Sequence, residues 1–528
     1  MSISAKHSHQ GWYPMTLLQA ISVLSGTVIA VSMDAIASTA LSIGRIGILG
    51  DIHATTDELA TADIVFVAAK LVGFLTVPLF IAVLRPTACL RAGTVVLLLS
   101  CTAITLSTDL TWIYACRAFQ GFAGSAILVA GQALLFFRFA RDRQPSVQAM
   151  FAIGAVMAPT TLTPALQGWF VDHLSWNWIF LCNVPLGIAA LVLLAADGDR
   201  PIGQRIELPL FRILLLGVAA AAITYVLQQG SRFNWLDDRL IAGLALLGSL
   251  AVGLFIVLEW GDANSSLIRL SLLRNPGFRF GLLASVVAGF ALSGTSYLVP
   301  AFALNVLGMT ATDAGTLLLP SGAMLGVAML LAGVAIQVGL MPIAPVPLGI
   351  ALFAGAMWML SGATSASGPA DLAFPLLLRG FGLGLLFISL TIIALPGLGN
   401  NSLPFGIGLF DFCKQLGGQL GTASLQTYID HQSSLATTIL SAHLVDGDPR
   451  LESRLGAVAA SLAERGLAGG ASSRIAIPLL QQMLGRQVGA IAFDEAFFAL
   501  VLFSAGAAPA LFLAKRLIGN QPPKETRP

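Results

Sequence analysis

The stretch TWIYACRAFQGFAGSAILVAGQALLFF (residues 111–137) holds one charged residue, Arg117, in an otherwise apolar and small-residue sequence. At ~1.5 Å of rise per residue a helix of this length crosses the ~30 Å hydrocarbon core of a bilayer. Barrel strands need only ~9–11 residues, and backbone polar groups in lipid must be satisfied internally, so the run reads as a membrane-spanning α-helix. Similar stretches fall near 15–41, 61–84, 92–107, 147–170, 178–196, 210–229, 239–258, 279–305, 314–336, 343–362, 372–396, 404–429 and 493–514. The 528-residue chain is 56% apolar and 10% charged, with mean hydropathy +0.85. A soluble protein carries roughly 25% charged residues. The apolar content supplies about fourteen spans of ~20 residues. A soluble enzyme, a nucleic-acid binder and a disordered scaffold are thereby excluded. The fold class is an all-α polytopic membrane protein.

Lys and Arg in short connections mark the cytoplasmic face, and an even number of spans puts both termini on one side. One face collects Lys6, Arg85, Arg91, Arg138, Arg141, Arg143, Arg200, Arg205, Arg269, Arg274, Lys515, Arg516, Lys524 and Arg527. The other holds Arg45, Arg232 and Arg239 among Asp51, Asp57, Glu58, Asp109, Asp172, Asp237, Asp238, Asp313 and Asp371. The expectation is a multi-pass protein of the cell (inner or plasma) membrane with both termini cytoplasmic. The first stretch exceeds the ~7–15-residue core of a signal peptide and reads as a span. Cys89, Cys101, Cys116, Cys182 and Cys413 lack the paired spacing of a metal site or disulfide framework and read as small apolar fillers. The net charge of +2 names no partner.

One connection, 430–492 on the outer side, is long and polar. Leu451, Leu455, Val458 and Leu462 recur at helical spacing, followed by Leu480, Met483 and Leu484. Two readings stand: a pair of short helices on the membrane or capping the bundle, and a docking surface for a periplasmic adaptor protein. Amphipathic periodicity serves both.

An ionisable side chain at a helix centre in the membrane costs at least ~2.5–3.5 kcal/mol, which makes each a functional candidate. The interior set is Asp34, Lys70, Arg117, Arg379, Asp411 and Lys414. By helical rise Asp34 and Arg117 lie about 10 and 9 Å from the outer ends of their spans, so they meet at one level. A carboxylate beside a guanidinium stays ionised, and one separated from it takes a proton. The pair is either a proton-coupling element or a permanent structural contact. Asp411 and Lys414, three apart on one helix face, are a self-neutralising pair or a second titrating site. Lys70, too deep to snorkel, needs a carboxylate or a wet cavity. Asp63 sits at a helix edge and reads as solvated.

CRAFQG (116–121) in the fourth span and LRGFGLG (378–384) in the twelfth share Arg-x-Phe followed by glycine, at equivalent places if spans 1–6 and 9–14 are repeated bundles. Two parallel six-helix halves describe the major facilitator architecture. Several strings strengthen the likeness. RAFQGFAG (117–124), WNWIFLCNVPLG (176–187), LQQGSRFNWLD (227–237), RGFGLG (379–384) and KQLGGQLGTA (414–423) resemble the fourteen-helix drug/proton antiporters of the EmrB/QacA type. The resemblance implies the major facilitator fold, two six-helix bundles plus two inserted helices. Residues 1–196 would form the first bundle, 197–262 the inserted helices with their linker, and 263–528 the second bundle with the 430–492 loop. It implies a proton gradient as energy source and no cofactor. In that family the helix-1 motif supplies Asp34 and the helix-4 motif Arg117, Gln120 and Gly121. The chain departs from the pattern in IAVLRPTACLR (81–91), which lacks the usual glycine and aspartate, in TPALQG (163–168), which has Thr163 and Gln167, and at Asp411 and Lys414.

The expected proton-coupling set is Asp34, Arg117, Asp411 and Lys414. The expected cavity or gating set is Lys70, Gln120, Gly121, Pro159, Pro164 and Arg379. Proton-coupled efflux of amphipathic small molecules is the leading reading, with the lipid bilayer as surroundings. The alternatives are exchange of a specific metabolite or organic anion, which Lys70 would suit, and a transport-dead sensor or adaptor on the same fold. No HExxH, GxSxG or GxxxxGK[ST] pattern supports an enzyme, a metal site or ATP drive.

Overall fold

All fourteen apolar stretches are helical. A computed structural model describes residues 16–43, 45–195, 208–261, 266–442 and 469–519, with 453, 456, 457 and 460. Its long helices are α1 Leu17–Ile43, α2 Thr56–Leu84, α3 Pro86–Ile104, α4 Leu110–Arg138, α5 Arg141–His173, α6 Asn177–Leu194 and α7 Leu210–Gln229. After them come α8 Arg239–Gly261, α9 Pro276–Asn305, α10 Ala311–Gln337, α11 Pro345–Leu360, α12 Pro369–Ala394, α13 Leu403–Ala442 and α14 Gly469–Gly519. Twelve are long and apolar enough to cross a membrane. The other two are α11, which has 16 residues and is ~24 Å long, and α13, which is long but carries Asp411, Lys414, Gln415 and Gln419 in its first half.

Local chemistry sets the helix starts. Thr55 and Glu58 form a reciprocal capping box at the start of α2. Asp109, Asn275 and Thr310 cap α4, α9 and α10 with their side chains. Pro86, Pro276 and Pro369 take first-turn positions, where the missing N–H costs nothing. Between α2 and α3 the chain reverses at Arg85, whose φ of 68° is a region that favours glycine. Pro159 lies in a π-helical segment, Ile153–Leu162, at the centre of α5, and Pro164 opens the α-helical turns after it.

In the first half α1 packs on α4 and α6, and α4 on α2 and α3. In the second α9 packs on α13, α12 on α10 and α11, and α14 on α9, α11 and α13. The halves touch along α5 with α10 and along α2 with α13. Helices α7 and α8 pair with each other, and α7 leans on α2 and α13. Consecutive helices alternate in direction, so Asp51, Asp57, Asp109, Asp172 and Asp313 share one end, here the acidic end. Arg85, Arg91, Arg138 and Arg274 share the opposite, basic end.

The 430–492 connection differs from expectation. Helix α13 continues to Ala442 and α14 begins at Gly469, so both flanks of the expected loop are helical extensions of spans. The sequence DHQSSLATTILSA (430–442) contains neither Gly nor Pro, so nothing stops the helix when its residues become polar. Leu451, Leu455, Val458 and Leu462, and also Lys6, Arg200, Arg205, Lys524 and Arg527, lie outside the described residues.

Candidate functional site

Three of the six interior charges gather where α1, α2 and α4 pack. Gly121 brings α4 against the backbone carbonyl of Phe66 on α2. One turn on, the Asp34 carboxylate occupies the place that a β-carbon on residue 124 would need, so Gly124 makes its berth. Lys70 Nζ donates to Asp34 Oδ1 at 2.9 Å and Oδ2 at 2.7 Å, both residues being about 95% buried. Of the two sequence readings of Lys70, the structure shows the carboxylate partner.

Arg117 is fully buried and does not pair with Asp34. It donates to the Ala37 carbonyl at 2.7 Å, to Gln120 Oε1 at 3.0 Å and to Asp63 Oδ1 at 3.1 Å. Its guanidinium lies 4.2 Å from the Phe66 ring centroid, and Lys70 lies 5.3 Å from the same ring. This corrects the expected Asp34–Arg117 pair and the solvated Asp63 together. Helical rise fixes depth but not azimuth: Arg117 arrives within one turn of Asp34, at Ala37, and meets backbone there. Asp63, half-buried on α2, supplies its counter-charge. Gln120 is wholly buried and also reaches Cys101 Sγ at 3.5 Å. Phe66, which sits beside both cations, had no sequence signal beyond being an aromatic in a span.

Near the acidic end of α5, Gln167 Nε2 donates to the Ile36 carbonyl at 2.9 Å and to Thr39 Oγ1 at 3.0 Å. Thr39 also meets Thr163 at 3.1 Å. Gln167 Oε1 is buried without a partner. Thr163 and Gln167 of α5 thus form one polar cluster with α1. The Pro164 carbonyl lies against Gly315 of α10, at the contact between halves.

The second half is built differently. Arg379, also buried, donates to Ser321 Oγ at 3.0 Å and Ser296 Oγ at 3.2 Å, and its Nε has no partner. Asp411 and Lys414 bond to each other at 2.5 Å, with Asp411 buried and the Lys414 side chain 22% exposed. A small apolar cleft of about 30 Å³ lies between α9, α11, α12 and α14, lined by Ala288, Phe353, Leu386 and Phe503 among others. It lies inside the second half. A further buried pair escaped the sequence reading. Arg212 of α7 and Glu259 of α8 approach to 3.5 Å, and Glu259 accepts from the Leu267 and Ile268 amides at 3.2 and 2.9 Å. Both lie at span ends, where charges are ordinary. The pair joins α7 to α8, and the two amides bonded to Glu259 tie that hairpin to the chain entering α9. Among the described residues no cluster of three or more His, Cys, Asp or Glu is arranged to hold a metal ion.

A buried interhelical ion pair is costly to maintain in a membrane span and changes state when one proton is added. What known proteins share this arrangement of helices is therefore informative. Residues 15–422 match the model of the Major Facilitator Superfamily. Multidrug export protein EmrB of Haemophilus influenzae is 26% identical over 345 residues, 63% of this chain and 65% of its own length. Multidrug export protein EmrB of Escherichia coli K12 is 25% identical over 352 residues, 62% of this chain and 64% of its own. The match thus spans just under two thirds of the length of these relatives. A solved bacterial homologue of the human lysosomal transporter Spinster gives a TM-score of 0.51 over 96% of this chain and 98% of that one, at 12% identity. That likeness speaks to fold alone. With a family match covering most of the chain and an all-helical, multi-span fold beneath it, the chain belongs to the Major Facilitator Superfamily, a family of transporters.

Proposed function

We propose that this chain exports amphipathic small molecules in exchange for protons, its two halves rocking to expose a site to each side in turn. The observation that carries the proton part is the Asp34–Lys70 pair. Protonating Asp34 removes the charge that holds Lys70, and a lone ammonium at that depth is unfavourable. The helices carrying them, α1 and α2, then gain by moving until Lys70 finds water or another acceptor. Loss of the proton on the far side restores the pair. The π-helical centre of α5, beside α1 and α10, is a suitable place to bend. The substrate class rests on the multidrug export relatives. Lys and Arg placement makes the basic end cytoplasmic and the acidic end outer. The reading as an anion exchanger loses its main support, since Lys70 is neutralised by Asp34.

Dye accumulation in energised cells, with and without an uncoupler, tests this. The expected result is low accumulation that the uncoupler raises. Asp34→Asn should accumulate dye as if uncoupled while the purified variant still binds it. Export by Asp34→Asn at the wild-type rate would falsify the coupling role. Failure of the wild type to export any dye favours the sensor or adaptor alternative.

A further inference from the structure

The inserted hairpin touches both halves of the molecule. Ala220 of α7 packs with Phe66, Val67, Ala68 and Leu71 of α2, a patch that Phe412 and Leu416 of α13 also cover. Helix α7 therefore roofs the apolar middle of the α2–α13 seam. At the acidic end polar contacts take over. Arg232 pairs with Asp57 in the first turn of α2 and reaches Thr56 Oγ1 at 3.4 Å. Its neighbour Ser231 donates to Asp430 of α13 at 2.6 Å. Two adjacent loop residues thus hold the same end of two helices from opposite halves.

The loop has a specified shape. Asn234 and Trp235 sit at φ 54° and 56°, in the left-handed region, which asparagine accommodates and tryptophan rarely adopts. Trp235 N donates to the Gly230 carbonyl at 2.7 Å, and its ring fills the space a side chain on residue 230 would take. Strain of this kind persists where the surroundings over-determine it.

We propose that the hairpin is a latch: Ser231 and Arg232 hold the acidic ends of α13 and α2 together, and one tie must break before the halves part at that end. The proposal rests on the halves moving against each other, as under the proposed function, and not on which ion or solute moves. Both ties are partly exposed to water, where an ion pair or hydrogen bond stabilises only modestly. The latch therefore biases the equilibrium rather than locking it. Releasing both ties should raise the parted population about 2- to 10-fold.

Nitroxide labels at Ala60 of α2 and Leu435 of α13, on a chain with its five cysteines replaced by alanine, read this opening as a distance distribution. The measurement is made in nanodiscs without substrate or gradient. Ser231→Ala with Arg232→Ala should enlarge a longer-distance population, while Arg239→Ala, at the start of α8, should not. Arg232→Asp should open the end further, and adding Asp57→Arg should close it again. A double-alanine distribution that superimposes on the wild type overturns the latch, as does a charge swap that fails to restore the short distance. Dye export by Asp34→Asn bears on proton coupling alone, and these distances bear on the latch alone.

Discussion

Arg117 of α4 and Arg379 of α12 occupy equivalent registers, each followed by a phenylalanine two residues on, yet different chemistry holds them. Each guanidinium is buried where its helix crosses a neighbour closely, at Gly121 over Phe66 in one half and Gly380 over Ser321 in the other. Arg117 meets a carboxylate, an amide, a carbonyl and a ring face. Arg379 meets two hydroxyls. The ion pairs diverge likewise, running between α1 and α2 in the first half and within α13 in the second. Both helices keep a buried arginine where they pack, and the groups that satisfy it differ. Among the described residues, the first half thus joins buried charges as an ion pair between two helices, and the second half pairs them along one helix.

The sharpest way to break that contrast is at Lys70. Lys70→Met leaves Asp34 buried and unpaired, and removing one partner of such a pair costs about 3–5 kcal/mol. Asp34→Asn with Lys70→Met should recover most of it. Thermal unfolding of the detergent-purified variants measures both. A Lys70→Met protein as stable as the wild type would show that the pair is not held as the geometry has it.

Next in size is the comparison of the two arginines. Arg117→Met removes the donor shared by the Ala37 carbonyl, Gln120 and Asp63, a loss of about 2–3 kcal/mol. Arg379→Met strands two serine hydroxyls, which can turn to carbonyls of their own helices, and removes a charge without a carboxylate partner. The expected cost is about 1 kcal/mol or less. Equal losses in the same unfolding assay would mean the halves use their arginines alike.

The sequence made the fold plain because each span must be predominantly apolar to enter lipid, and that demand is written residue by residue. Buried charges were legible for the same reason, since Asp34, Lys70, Arg117, Arg379, Asp411 and Lys414 stand out against apolar surroundings. Their partners were not. Pairing depends on helix rotation and on which helices are neighbours, and apolar spans carry little amphipathic signal to fix either. Asp63 reads as solvated, and Glu259 escapes notice, because a charge near a span end is ordinarily solvated. The continuation of α13 past residue 430 was overlooked because loss of hydropathy marks the end of a membrane span, not the end of a helix.

The smallest effect is expected at Asp411 and Lys414. Full burial of both would make each single substitution as damaging as Lys70→Met, but the Lys414 side chain is 22% exposed and extends toward the Phe410 ring, 6.0 Å away. A lysine whose end is not enclosed can turn to another acceptor when its partner is lost. A pair three residues apart on one helix contributes only about 0.2–0.5 kcal/mol in water, and partial burial raises this modestly. Asp411→Asn and Lys414→Gln should therefore each cost about 1 kcal/mol, with a coupling energy below that. Across the Asp34–Lys70 cycle the coupling should exceed about 2 kcal/mol. Unfolding of the singles and doubles at both sites gives the two numbers side by side. A coupling at α13 that matches the first half would remove the asymmetry between the halves. Efflux then separates packing from function. If the Asp411→Asn, Lys414→Gln double variant is stable and exports dye normally, the α13 pair only neutralises its own burial; if it is stable and uncoupler-sensitive export falls, α13 carries a second titrating site within a single helix.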